Sequence, residues 1–201
     1  MGYPQYPPHH PGDVEALIRA YPLAWVIPTA DPFTATPLPL LPEMAGTELD
    51  ALFGHLSRRN PMLAVLADDP TVTILFQGPQ GYISPRLVGD PTWGPTWNYA
   101  VIRVRARIEM VPDELDDALS TLATAVEADH REPWEPSEMG ERYDLLRRYI
   151  TAFRAHVDAV HSTFKLGQDE NDHDFRAIVS GMDDPELAAW MERMRGDVRR
   201  R

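Results

Sequence analysis

The alternation of apolar and polar residues is clearest between Asn98 and Val111. Every second residue from Ile102 to Met110 is apolar, and the positions between them include Arg103, Arg105 and Arg107. Successive side chains of a strand point to opposite faces. The pattern therefore predicts a long antiparallel strand with one buried face.

Five further segments have the composition of strands. Thr71 to Gln77 is β-branched and apolar, which predicts a central strand, and Leu23 to Thr29 predicts a buried one. Thr34 to Leu41 alternates but contains prolines, which cannot donate to a ladder, so we expect an edge or end strand. Leu49 to Leu56 and Ala152 to Val160 are the remaining candidates.

Helical periodicity separates these strands and follows the last of them. Capping side chains are available at Asp13 and at Ser57. Helices are predicted after Asp13, around Met62 to Leu66 with Ser57 as the cap, from Asp113 to Val126, from Glu138 to about Tyr149, from Phe175 to Val179, and from Pro185 to Met194. The mixture predicts a barrel-based α+β fold in one domain over residues 1–201, with a C-terminal helix and basic tail at 183–201.

Composition excludes several classes of protein. The chain has 201 residues, 43% of them hydrophobic, and no cysteine, so disulfides, thiolate metal sites and cysteine nucleophiles are absent. No apolar run has the length of a membrane span and no signal peptide is evident, so we expect a cytoplasmic protein without a membrane partner. The net charge of −12 opposes direct nucleic-acid binding, and we interpret the basic tract Arg199 to Arg201 as a solvated tail.

The segment between the two central strand candidates, from Gly78 onward, combines turn residues with aromatic, hydroxyl and amide side chains, so we expect a loop there. Planar cofactors need apolar cover for the ring face and donors and acceptors at the ring edge. A tight dimer interface is the other structure that would use such a segment. Its candidate binding residues are Gln77, Tyr82, Ser84, Thr96, Trp97 and Asn98.

Six short motifs, in order, resemble those of the PaiB-like proteins, a family of FMN-binding negative transcriptional regulators. The motifs are Gly54 to Leu56, Arg59 to Pro61, Phe76 to Pro79, Tyr82 to Pro85, Pro95 to Tyr99 and Phe164 to Gln168. The resemblance covers about Tyr6 to Met182. It implies a split β-barrel with flanking helices (the FMN-binding split-barrel fold), FMN as the cofactor, and a homodimer. The family also includes piperazate synthases, which hold haem b and form an N–N bond.

The resemblance assigns different roles to His55 in the two branches. In the haem branch the histidine of the Gly-His motif is the axial ligand of iron, so His55 would be the metal ligand if haem is bound. In a flavoprotein His55 would form a hydrogen bond to the ring or across the barrel. The motif is common to the family and does not separate FMN from haem b.

Two basic groups are candidates for binding an anionic part of the cofactor. Arg58, Arg59 and Asn60 lie at the start of the predicted helix that Ser57 would cap, where guanidinium groups and free N–H groups suit a phosphate or propionate. Lys165 is the only lysine of the chain and stands in the last motif with Gln168, where it could bind a phosphate, a propionate or a substrate carboxylate. Surface exposure is the alternative for each.

The leading functional expectation is an FMN-dependent redox enzyme that acts on a small-molecule substrate from a pocket shared by two subunits. The first alternative is a haem b-dependent enzyme that forms an N–N bond. The second is a non-catalytic transcriptional regulator that senses flavin or haem. The catalytic residues, the substrate and the reaction are not determined by these patterns.

Overall fold

A computed structural model describes residues 6–196. Its six strands form a closed barrel in the order β1-β2-β3-β6-β5-β4. The pairs β1–β2, β1–β4, β2–β3 and β3–β6 are antiparallel. The strands are β1 Leu23–Pro28, β2 Thr36–Ala45, β3 Glu48–Ser57, β4 Thr71–Ile83, β5 Thr96–Met110 and β6 Ile150–Lys165.

Helices occupy the connections and the C-terminal part of the described chain. They are α1 Asp13–Ala20, α2 Met62–Asp68, α3 Pro85–Val88, α4 Leu115–Glu127, α5 Glu141–Arg147, α6 Asp172–Gly181 and α7 Pro185–Arg195. Short 3₁₀ turns at Pro112–Glu114 and Pro136–Met139 precede α4 and α5, so both helices begin later than the sequence predicts. No helix within residues 6–196 is long and apolar enough to cross a membrane.

The predicted half-buried strand is confirmed in β5. Ile102, Val104 and Ala106 are fully buried, whereas Arg105 and Arg107 on the other face are exposed. The mixture of barrel and helices confirms the α+β prediction.

Two predicted strands differ in their surroundings. β1 is half-buried rather than buried, because Leu23 and Trp25 face outward and are largely exposed. β2 is not an edge strand, because it pairs with β1 and with β3. Pairing with β1 covers Thr36 to Pro39 and pairing with β3 covers Leu40 to Ala45. The prolines at 37 and 39 therefore lie where the strand has one partner only.

Two local predictions need correction. Ser57 ends β3, and its hydroxyl accepts a hydrogen bond from the N–H of Arg59 rather than capping α2. Asn60 serves the start of α2, because its Oδ1 accepts from the N–H of Met62 at 2.9 Å. The segment from Gly78 to Ile83 is not a loop, since it continues β4.

The described chain forms two compact units. The first contains residues 6–14, 77–102 and 162–196, and the second contains residues 15–76 and 103–161. In the first unit Trp190 of α7 stacks on Phe164 at 6.2 Å between ring centroids, and Arg193 pairs with the fully buried Asp13 at 2.7 Å. The basic tract at 199–201 lies outside the described residues.

Candidate functional site

An aromatic pair marks the first unit. Tyr82 lies near the end of β4 and Trp97 near the start of β5, with ring centroids 5.9 Å apart and planes tilted by 60°. Both side chains remain more than half exposed, at 53% and 56%. Large aromatic side chains bury most of their surface when they have a partner to cover. The pair therefore offers an apolar surface to a ring.

Lys165 holds the strand that carries Trp97. Its Nζ donates to Thr96 Oγ1 at 2.6 Å and to the carbonyl oxygen of Trp97 at 2.7 Å. These bonds join the end of β6 to the start of β5. An ammonium group has three N–H donors, so these two bonds leave a third, and the Glu170 carboxylate interacts with the same positive charge.

The neighbouring predicted residues divide between the surface and the interior. Gln77 is exposed on β4. Asn98 is only 2% exposed, and its Nδ2 lies 3.5 Å from the sulfur of Met191. A thioether is a weak acceptor. Asn98 thus links β5 to α7, and its amide does not reach the surface that carries Trp97.

Two further predicted residues are engaged by the chain itself. Ser84 caps α3, because its Oγ accepts from the N–H of Arg86 at 3.2 Å. Gln168 closes the turn after β6: its Oε1 accepts from the N–H of Leu166, and its Nε2 donates to the carbonyl of Phe164. The same turn requires Gly167, whose φ of 81° lies in the left-handed region. In this arrangement Gln168 shapes the segment around Lys165.

A concavity of about 520 Å³ borders α3 and includes a residue absent from the predicted set. Ser84, Arg86 and Gly89 contribute to its wall, together with Pro85 and Pro91. The exposed Arg86 places a guanidinium at the rim, where it could bind a phosphate. In the sequence, Arg86 is marked only by its place directly after the Tyr82 to Pro85 motif.

His55 lies in the second unit, on β3 opposite Ala152 of β6. Its Nδ1 is buried and has no hydrogen-bond partner among residues 6–196. Burial lowers the pKa of His55 below its ordinary value of 6.5, so the imidazole is neutral at pH 7. A neutral imidazole can bind iron or accept a hydrogen bond.

Gly54, the first residue of the Gly-His motif, is explained by the packing of the strands. A Cβ at position 54 would lie 2.5 Å from Cδ2 of Leu40 and 2.9 Å from the carbonyl oxygen of Pro39. Because the second contact is with backbone, a side chain there would push β2 away from β3. Gly54 is thus required by strand packing, independently of any cofactor.

Two of the three candidate anion-binding residues that follow His55 in the sequence are available to a ligand. Arg58 and Arg59 are exposed and form no ion pair with residues 6–196, while the guanidinium of Arg59 lies 5.7 Å above the ring of Tyr149. Asn60 is engaged at both ends of its amide, with Met62 and with the hydroxyl of Thr36. The two arginines could therefore meet an anion, whereas Asn60 is a structural residue.

The residues fit FMN in two respects. A flavin needs an apolar face, which Tyr82 and Trp97 could offer, and cationic donors for its phosphate, for which Lys165 and Arg86 of the same unit are candidates. Within residues 6–196, no three side chains from His, Cys, Asp and Glu are grouped to hold a metal ion. Haem needs no such cluster, because one axial ligand can hold its iron, and His55 is the residue predicted for that role.

Comparison with known proteins agrees with this chemistry. The family model described as "Putative FMN-binding domain" matches residues 3–159. The protease synthase and sporulation protein PAI 2 of Bacillus subtilis is 26% identical over 66% of this chain and 65% of its own length. An uncharacterized protein of Emericella nidulans is 25% identical over 66% of each chain. The chain thus spans slightly less than two thirds of these relatives.

Solved structures with the same fold are distant in sequence. The FAD and haem binding protein of Mycobacterium smegmatis has a TM-score of 0.57 at 18% identity, covering 84% of this chain and 78% of its own. The flavocytochrome Anf3 of Azotobacter vinelandii has a TM-score of 0.55 at 16% identity, with 78% and 67% covered. These likenesses confirm the split-barrel fold. With the family model matching most of its length, the chain belongs to the FMN-binding domain family that its resemblance to PaiB-like proteins indicated.

Proposed function

We propose that this protein binds FMN and uses it in a redox reaction on a small molecule, as a homodimer whose subunits share the pocket. The family supports FMN as the cofactor. The family does not specify the redox reaction, the substrate or the dimer. We infer these three from the chemistry of the exposed residues.

The observation that carries this proposal is the Tyr82–Trp97 pair. Two large rings stay half-exposed although Lys165 fixes the backbone of one of them. Lys165 restrains the main chain that carries the Trp97 ring, so that segment need not be ordered when a ligand binds. A preorganised apolar surface of this kind is suited to a planar ring system.

When bound, FMN supplies reversible hydride and electron transfer. The chain contributes binding and orientation. Trp97 and Tyr82 cover the ring and exclude water from it, Lys165 keeps Trp97 in place, and the third donor of Lys165 and the guanidinium of Arg86 bind the phosphate.

An absorbance spectrum of the purified protein tests the cofactor. FMN gives bands near about 370 and 450 nm, whereas haem gives a Soret band near about 400 nm. Titration of the apoprotein with FMN then tests the site. We expect Trp97→Ala to weaken FMN binding by about 1–3 kcal/mol, the range for loss of a large aromatic contact.

Trp134→Ala is the matched control for this titration, because Trp134 is also a partly exposed tryptophan but belongs to the second unit and lines a different concavity. FMN binding should be the same in this variant and the parent. Equal FMN affinity in the Trp97 and Trp134 variants would refute the role of the aromatic pair.

Haem b binding with His55 on the iron is the second candidate. The neutral state and partial burial of His55 favour it, since neutral imidazole is the ligating form. Histidine ligands usually donate their second ring N–H to an acceptor, however, and Nδ1 has no acceptor among residues 6–196. A Soret band in the parent that is lost in His55→Ala would select this candidate over FMN.

Transcriptional regulation is the third candidate, and we rank it below the enzymes. The net charge of −12 repels the DNA backbone at long range. A gel-shift experiment at low salt tests it, and specific retardation of a DNA fragment would reverse this ranking.

A further inference from the structure

A second concavity, of about 300 Å³, lies in the second unit among α4, α5 and the segment that joins them. This volume is at the lower end of the roughly 300–1,000 Å³ of small-molecule pockets. None of the residues predicted to bind FMN or haem lines it. Its apolar wall is formed mainly by Leu119, Leu122, Val126, Trp134, Met139 and Leu146.

The apolar face of α4 is longer than its contact with the barrel. Leu115 and Ala118 pack in the core with Phe53 and Ala152. Farther along the helix, Val126 is about half exposed and lines the concavity. α4 therefore retains an apolar surface after its packing on the barrel is complete.

The charged residues of the wall are already paired. The carboxylate of Glu127 accepts a hydrogen bond from the backbone N–H of Trp134 at 3.2 Å. The guanidinium of Arg147 lies 2.9 Å from the carboxylate of Asp116, which also accepts from the hydroxyl of Tyr143 at 2.6 Å. An anionic ligand would find no unpaired cation in this wall, and a charged group of either sign would lose its hydration against the apolar side chains.

The surrounding surface is acidic. Residues 115–148 contain nine carboxylates and four arginines. A second copy of the chain would bring the same negative surface onto this one, and an anionic ligand would be repelled in the same way. An uncharged molecule avoids both costs.

We propose that this concavity, the α4–α5 pocket, binds an uncharged and largely apolar small molecule. The proposal is independent of FMN binding, because neither its residues nor its test involves the flavin. Binding removes apolar surface of Leu122, Val126 and Leu146 from water, which supplies the driving force.

Two fluorescent probes with the same anilinonaphthalene skeleton test the pocket. N-phenyl-1-naphthylamine is uncharged, and 8-anilinonaphthalene-1-sulfonate adds one negative charge. We expect saturable binding of the uncharged probe at one site per chain, and affinity about tenfold lower for the anionic probe because of the acidic surface. The uncharged probe should also raise the melting temperature of the protein.

Adjacent leucines of α5 provide matched variants. Leu146 lines the pocket and is 39% exposed, whereas Leu145 does not line it and is 54% exposed. Leu146→Arg places a charge in the apolar wall and should weaken the uncharged probe about tenfold or more. Leu145→Arg adds the same charge to the same helix and should leave binding unchanged.

Three binding results would overturn the proposal: no saturable binding of the uncharged probe, equal loss of binding in the two leucine variants, or tighter binding of the anionic probe. A fourth result, from light scattering, would also overturn it. Light scattering tests whether a second copy of the chain fills the pocket instead of a ligand. If Leu146→Arg alone halves the molecular mass of the parent in solution, the pocket is filled by a second copy and not by a ligand. Val126→Arg, at the half-exposed mouth, repeats the test if Leu146→Arg lowers thermal stability.

Discussion

Several polar side chains predicted to bind a cofactor complete turns of the chain itself. Asn60 begins α2, Ser84 begins α3, and Gln168 closes the turn after β6. Turn formation by the same residue types explains why the motifs contain them. The predicted residues left for a ligand in the first unit are Tyr82, Trp97 and the exposed Gln77, with Lys165 beside Trp97.

Lys165 both stabilises the chain and is a candidate ligand-binding residue, so its replacement should have two effects. Lys165→Ala removes two hydrogen bonds at the start of β5, so we expect the free energy of unfolding to fall by about 1–3 kcal/mol. FMN affinity should fall as well, because Trp97 loses its anchor and the phosphate loses a donor. Chemical denaturation and FMN titration measure the two effects.

Thr96→Val is the control for Lys165, since it removes one acceptor and keeps the ammonium group. If Lys165→Ala retains FMN as well as the parent does, Lys165 belongs to the structure alone. Non-additive losses of stability in the double variant would show that the two side chains are coupled.

His55 should make stability depend on pH. Its pKa is lowered in the folded state, so the unfolded state binds more protons as the pH falls. Its contribution to the free energy of unfolding is complete above the unfolded value of about 6.5 and is lost as the pH falls through the lowered folded value. Denaturation at a series of pH values between about 7 and 5 measures this loss.

His55→Gln removes the titrating group, so the variant should lose less stability than the parent across the same interval. Identical pH profiles would show that His55 titrates normally. Equal cofactor occupancy in the two proteins is the necessary control, since bound ligand also changes stability.

Arg154 connects three elements of the second unit. Its guanidinium lies 2.7 Å from Glu43 of β2 and 2.7 Å from Glu114 before α4, and 4.5 Å above the ring of Phe53 on β3. Arg154→Met keeps the stem but leaves both carboxylates unpaired. We expect a loss of about 1.5–3 kcal/mol in the free energy of unfolding, measured with urea.

Arg107→Met is the control for this element-level contact. Arg107 pairs with Asp158 at 3.4 Å, but its side chain is 64% exposed, so its loss should cost about 0–1 kcal/mol. Equal destabilisation by the two variants would show that the Arg154 contacts contribute no more than an ordinary surface pair.

Gly54 tests the packing of β3 against β2. Gly54→Ala brings a Cβ within 2.9 Å of the carbonyl oxygen of Pro39, which requires the strands to separate, and we expect a cost of about 1–3 kcal/mol. Gly12→Ala, where no atom lies within 4 Å of the added Cβ, should be nearly neutral. Thermal melts compare the stabilities of the two variants. If Gly54→Ala is as stable as the parent, strand packing does not explain Gly54, and the Gly-His motif needs a functional explanation.

At the scale of the whole molecule we predict a homodimer. The first unit leaves Tyr82 and Trp97 exposed, and the second leaves Leu23 and Trp25 exposed on β1. Exposed apolar surface of this kind in a monomer marks an interface. Light scattering should give about twice 22.7 kDa. A monomer at micromolar concentration would contradict the shared pocket.

The sequence by itself determined the fold class, the family and most of the elements. The strict alternation of β5 and the apolar periodicity of α1 and α4 are local signals, because each element buries one face and its period is set by the backbone. The six motifs are also local signals. Their residues and order identified the family without any knowledge of their contacts.

Only the tertiary structure decided which polar groups remain free and where the barrel closes. The partners of Lys165 lie almost seventy residues away, and the barrel closes through pairing of β1 with β4 and of β3 with β6, which are distant in the sequence. The α4–α5 pocket likewise needs two helices to meet. Long-range pairing determines hydrogen-bond partners and exposure, so the available surface for FMN could not be deduced from residue types alone.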